Sequence, residues 1–146
     1  MDRSRGFMDL DKFCGLIDEI SSHANHILMN FAGEPLLHPQ IGEMVEYSVK
    51  HGLGLTLGTH GNIDKMDELV EAGLPEILFA IDGLTQDVYQ HYRVGGDLDV
   101  ATSNLEKLME ARARAGTGNP RVILQFVVMK HNECQIGDLV ELGRRL

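Results

Sequence analysis

Short apolar runs alternate along this chain with stretches whose apolar residues recur at helical spacing, and that alternation constrains the fold more than any other feature. Ile27-Leu28-Met29-Asn30-Phe31, Leu53 to Thr59, Glu76 to Ile81 and Val122 to Met129 read as strands. Two of the three intervals between them are near 25 residues, too long for hairpins and right for a crossover that returns the next strand parallel to the last. The pattern predicts an α/β fold with a parallel sheet of about four βα units.

The intervening stretches carry their own signals. Leu10, Phe13, Ile17 and Ile20 mark a first helix capped by Asp9, with Cys14 reading as a small hydrophobe on its buried face. His38-Pro39 opens a helix holding Ile41, Met44, Val45 and Val49. Ile63 to Ala72 follows, with Gly73 as its left-handed terminator. A short helix is expected after a capping Thr85, and a longer one from about Asp97 to Gly116. The chain closes on an amphipathic helix with Ile136, Leu139, Val140 and Leu146. At 146 residues the chain is one domain, short of the roughly 200 or more of a complete α/β barrel.

Composition removes several functions. A formal net charge of -9 excludes a protein that tracks a nucleic-acid backbone, which needs clustered Lys and Arg. No apolar run approaches the roughly 20 residues that cross a bilayer, and Met1 to Phe7 is too polar for a signal peptide. The expectation is a cytoplasmic protein with neither nucleic acid nor membrane as partner. Cys14 and Cys134 stand alone, in no CxxC or CxxxCxxC spacing, and the seven histidines show no i, i+4 pair, so no metal site is assigned.

Binding residues in parallel α/β folds gather on the loops leaving the carboxyl ends of the strands. Here these are Ala32-Gly33-Glu34-Pro35, Thr59-His60-Gly61-Asn62, Asp82-Gly83-Leu84-Thr85 and Lys130-His131-Asn132-Glu133. Gly33, Gly61 and Gly83 would admit a ligand close to the backbone, and Glu34 and Asp82 could accept from an ammonium or a ribose hydroxyl. The same residue types also serve ordinary turns.

The wording of these segments resembles the radical S-adenosylmethionine (SAM) enzymes, in particular the peptide-modifying subgroup with a cysteine-rich C-terminal domain. NFAGEPLLHP, from Asn30 to Pro39, is similar to that family's loop after its second strand, whose Gly-Glu element contacts the amino group of the methionine moiety. GTHGN at Gly58 to Asn62 resembles its Thr-Asn-Gly segment. AIDG at Ala80 to Gly83 resembles its Ser-Xaa-Asp-Gly element near the ribose and carboxylate, and VVMKHNE at Val127 to Glu133 resembles its fifth-strand exit. Tyr89, Tyr92-Arg93, Gly95-Gly96 and Asn104-Leu105 follow in register.

The resemblance implies a partial (β/α) barrel over residues 1–146, truncated at both ends. It implies SAM binding through Gly33, Glu34, Pro35, Thr59, His60, Gly61, Asp82, Gly83 and Arg93, with Arg93 reaching the carboxylate. His60 replaces the family's usual Asn, and Ala80 its usual Ser, whose lost hydroxyl would cost about 1 kcal/mol. The family's four-iron cluster needs three cysteines of a CxxxCxxC loop that this chain lacks. Full-length members are oxidoreductase-like enzymes that cleave SAM reductively and modify a peptide or small molecule. This chain alone is expected to hold no cluster and to catalyse nothing, so no residue receives a catalytic role. The alternative is a stand-alone module that binds a ligand or protein without catalysis. The first and last strands are expected to be open sheet edges, which predicts a homo-oligomer.

Overall fold

The computed structural model describes residues 6–30 and 33–146. Phe31 and Ala32, expected at the end of the first strand and the start of its loop, lie outside them. Four parallel strands form one sheet in the order β1-β2-β3-β4: β1 (His26–Met29), β2 (Gly54–Thr59), β3 (Glu76–Ala80) and β4 (Arg121–Gln125). Among the described residues six α-helices accompany them: α1 (Leu10–Ile20), α2 (Ile41–Lys50), α3 (Met66–Glu71), α4 (Gln86–Tyr92), α5 (Leu98–Ala115) and α6 (Ile136–Arg145). This is the expected α/β partial barrel. No helix among the described residues is long and apolar enough to cross a membrane.

Strand parity separates the two faces of the sheet. Leu55, Leu57, Ile77, Phe79 and Ile81 are fully buried under the helices, where they meet Val45, Leu69, Ala101 and Leu108. Each such large side chain contributes about 1.5–3 kcal/mol through the apolar surface it removes from water. On the other face the register places Leu28 beside Thr56 and Gly58 beside Leu78. Leu28 remains 58% exposed, and a polar row crosses the amino-terminal end of this face. His26 Nε2 lies 2.8 Å from Thr56 Oγ1, the Thr56 hydroxyl donates to Glu76 Oε1 at 2.8 Å, and Arg121 pairs with Glu76 Oε2.

Caps fix several helix ends. Asp9 accepts from the Lys12 N–H at 3.2 Å, Asp97 accepts from that of Val100 at 3.1 Å, and Gly116 closes α5 in the left-handed region at φ 62°. Thr85 occupies the N-cap of α4 as a position only, since its hydroxyl makes no capping bond.

Two boundaries depart from the sequence reading where side-chain bonds outcompete local preference, and one position read as buried departs too. The helix expected from Ile63 begins at Met66, because the Asn62 side chain is bound to the Asp97 backbone on both sides, by Oδ1 at 2.6 Å and Nδ2 at 3.1 Å. The last strand ends at Gln125 rather than Met129. The N–H of Val127 turns to Asp82 Oδ1 at 2.7 Å and that of Met129 to Asn132 Oδ1 at 2.7 Å, so side chains replace the ladder. Cys14 is only half-buried, because the buried face of α1 runs through Phe13 and Ile17.

Candidate functional site

In the loop after β1, Gly33 has a φ of 89°, in the left-handed region, and no described atom lies close to where its Cβ would be. Glu34 follows, and its side chain is only 6% exposed. Oε1 accepts from the Leu36 N–H at 3.1 Å, capping a short 3-10 turn (Pro35–Leu37) that Pro35 starts. Oε2 accepts from the His60 N–H at 2.9 Å and lies 3.1 Å from His60 Nε2. The carboxylate expected to meet a ligand therefore also ties the β1 exit to the β2 exit.

The β2 loop is internally wired in the same way. Thr59 Oγ1 accepts from the Gly61 N–H at 3.0 Å, and His60 Nδ1 accepts from that of Asn62 at 3.1 Å. The carbonyl of His60 receives the Tyr89 hydroxyl at 3.2 Å, and burial pushes that phenol above its ordinary range, keeping it a neutral donor. Gly61, at φ 75°, leaves no room for a side chain, because a Cβ there would sit 2.4 Å from the Phe79 ring.

Asp82, leaving β3, is completely buried. Its Oδ2 accepts from Arg93 Nε at 2.6 Å while Oδ1 takes the Val127 N–H. Asn132, also fully buried, donates to the carbonyls of Asp82 at 3.0 Å and Val127 at 2.9 Å, locking the β3 and β4 exits together. Arg93 is partly exposed and its other guanidinium nitrogens donate to no described residue.

These loops enclose a cavity of about 150 Å³ at the carboxyl ends of the strands, lined by Asn30, Gly33, Glu34, Gly58, Thr59, His60, Ala80, Arg93 and Gln125. Five of the nine residues expected at the site, Gly33, Glu34, Thr59, His60 and Arg93, meet there. Pro35 instead lines an apolar groove beside Phe7, Met8 and Leu28, while Gly61, Asp82 and Gly83 stand behind the wall and support it. A second cavity of about 490 Å³ shares His60 and Arg93 and extends over Tyr92 and the Val94-Gly95-Gly96 turn. A further cavity of about 490 Å³ lies between α5 and α6, lined by Met109, Arg112 and Leu139, with none of the strand-exit loops among its walls.

Asn30, Gly58 and Gln125 also line the site, although sequence reasoning gave them no role. Gln125 carries the clearest signal, as the one amide in the apolar run Val122-Ile123-Leu124-Gln125-Phe126. A partly exposed guanidinium with unused donors fits a carboxylate, and Glu34 beside the open Gly33 backbone fits an ammonium.

An iron-sulfur cluster does not fit the cysteines of this chain. Cys14 sits on α1, and burial followed by the charges of Asp11, Asp18 and Glu43 pushes its thiol up, away from the thiolate that binds iron. Cys134 is exposed in a 3-10 turn beyond β4. Among the described residues no three His, Cys, Asp or Glu side chains converge on a metal-sized site.

The chain is similar in sequence and in fold to several known proteins. The tungsten-containing aldehyde ferredoxin oxidoreductase cofactor-modifying protein of Pyrococcus furiosus is 30% identical over 143 residues, covering 92% of this chain and 39% of that protein. Mycofactocin maturase MftC of Mycobacterium ulcerans is 28% identical over 133 residues, covering 89% and 34%. The chain thus spans well under half the length of these curated relatives. The solved structure of TYW1 with a lysine-pyruvate adduct bound superposes with a TM-score of 0.63 at 17% identity, over 93% of this chain and 48% of that one, a likeness of fold. The family profile described as Radical SAM superfamily matches residues 3–143, and the chain belongs to that superfamily.

Proposed function

We propose that the strand-exit loops of this chain hold the methionine end of SAM for a radical SAM enzyme that modifies a peptide or small molecule. The observation that carries the reading is the convergence of Gly33, Glu34, Thr59, His60 and Arg93 on one small polar cavity. Gly33 and Glu34 would receive the amino group, and Arg93, fixed through Nε to Asp82, would offer its remaining donors to the carboxylate. Pro35, Thr59, Gly61, Asp82 and Gly83 would hold those groups in place. When bound to a four-iron cluster, SAM supplies the adenosyl radical chemistry.

The two cysteines here cannot supply the three thiolates such a cluster needs, so this polypeptide by itself is read as inactive. The internal bonding of Glu34 and Asp82 favours a second reading, a binding module in which both carboxylates serve only the scaffold. Titration calorimetry with SAM separates the two. Binding near millimolar supports the cradle, no binding supports the scaffold, and a micromolar constant, about 8 kcal/mol, would mean that the loops do more than position a cluster-anchored ligand.

A cytoplasmic setting belongs to the same reading, because thiolate-held clusters are kept reduced there. We also read the chain as a homo-oligomer. Both β1 and β4 are sheet edges, and Leu28 on β1 is 58% exposed, so a second copy can cover what one copy leaves open. Light scattering should give a mass of at least two 16.2 kDa chains, and a monodisperse monomer would contradict it.

A further inference from the structure

The contacts of the His60 ring define where its proton sits. The N–H of Asn62 points at Nδ1 from 3.1 Å, and an N–H can only donate, so Nδ1 is the bare acceptor. With Nδ1 bare the ring's single proton is on Nε2, which lies at ion-pair distance, 3.1 Å, from Glu34 Oε2. From this geometry we infer that His60 is held as the neutral Nε2–H tautomer and is a positioning residue that fixes Glu34, leaving the cavity one net negative charge for a cationic group.

The charge follows from the groups around the ring. Glu34 faces it from the β1 loop, and Arg93 shares both of its cavities from the end of α4. Asp82, from the β3 loop, cancels Arg93 through their 2.6 Å contact. Tyr89 donates to the His60 carbonyl as a neutral phenol, and Asp97 reaches the loop only through its backbone bonds to Asn62. One negative charge, that of Glu34, is left over, and it matches an ammonium or sulfonium. A second proton on Nδ1 would set two donors face to face and bring the cavity to zero charge. The sign of that charge follows from the side chains alone, and the SAM reading enters only for the identity of the ligand.

The test uses the full chain labelled with 15N-histidine. Long-range proton–nitrogen correlations at about pH 7.5 should show the His60 ring, assigned by its disappearance in His60→Asn, with a protonated Nε2 and a bare Nδ1. A protonated Nδ1 overturns the inference. SAM affinity followed by calorimetry at the same pH should fall about tenfold in His60→Ala, the size expected when a nearby charge is no longer held in place. It should stay near the wild-type value in His60→Gln, whose amide can reach the place of Nε2. An unchanged affinity in His60→Ala, or a loss in His60→Gln as large as that in His60→Ala, also overturns it. The inferred tautomer in a chain that binds no SAM supports the assignment of His60 and contradicts the cofactor reading instead.

Discussion

Asp82 Oδ2 lies 2.6 Å from Arg93 Nε in a site where the aspartate is wholly shielded from water and the arginine is not. The aspartate's other oxygen holds the N–H of Val127, and its carbonyl is held by Asn132. One buried carboxylate thus fixes both the arginine at the cavity wall and the path of the chain after β4. Asp82→Ala should lower stability by about 3–5 kcal/mol, because it strands a guanidinium and a backbone donor together. Urea unfolding measures this, and a loss below about 1 kcal/mol would mean that the pair is incidental.

Gly83 is required for a packing reason. A Cβ there would sit 2.4 Å from the Tyr89 nitrogen and 2.7 Å from its Cα, and backbone atoms cannot swing aside. Gly83→Ala should destabilise by about 1–3 kcal/mol. Gly15, in the middle of α1 with nothing near its missing Cβ, should behave oppositely, Gly15→Ala gaining about 0.5–1 kcal/mol. Thermal denaturation of the two variants gives both signs in one experiment, and equal shifts would contradict the packing described at the β3 exit.

The polar row across the open face of the sheet makes stability depend on pH. The Thr56 hydroxyl foremost, with Arg121, holds the Glu76 carboxyl below its ordinary range against an opposing desolvation. A carboxyl depressed on folding stabilises the protein above its unfolded value, about 4.3, and that contribution disappears as pH falls through the lower folded value. Wild-type melting temperature should exceed that of Glu76→Gln at neutral pH, with the gap closing in acid. A gap that widens in acid would reverse the assignment.

Strand number, order and parallel sense were legible because apolar runs and crossover lengths are local signals, and the five cavity residues were legible because their segments resemble a family. The work each side chain does was not legible. Glu34 and Asp82 read as free acceptors, and the fold spends most of their lone pairs on Leu36, His60, Arg93 and Val127, partners up to 45 residues away in sequence. The early end of β4 was hidden for the same reason, since Asp82 acts on that segment from the β3 loop.

The cysteine content gives a prediction of its own. Anaerobic reconstitution of this polypeptide with iron and sulfide should yield no stable four-iron cluster, because Cys14 and Cys134 are two ligands on separate elements where three are needed together. Iron and sulfide analysis with absorbance in the visible range checks it, and stoichiometric four-iron incorporation would contradict it.

The most direct test of the cradle is a titration of the 15N-labelled chain with SAM, followed residue by residue through the backbone amides. Saturable shifts should gather on Gly33, Glu34, Thr59, His60 and Arg93, the residues that meet at the strand exits. Shifts centred instead on Met109, Arg112 and Leu139, around the cavity between α5 and α6, or no shift at all, would contradict the proposal that these loops hold the cofactor.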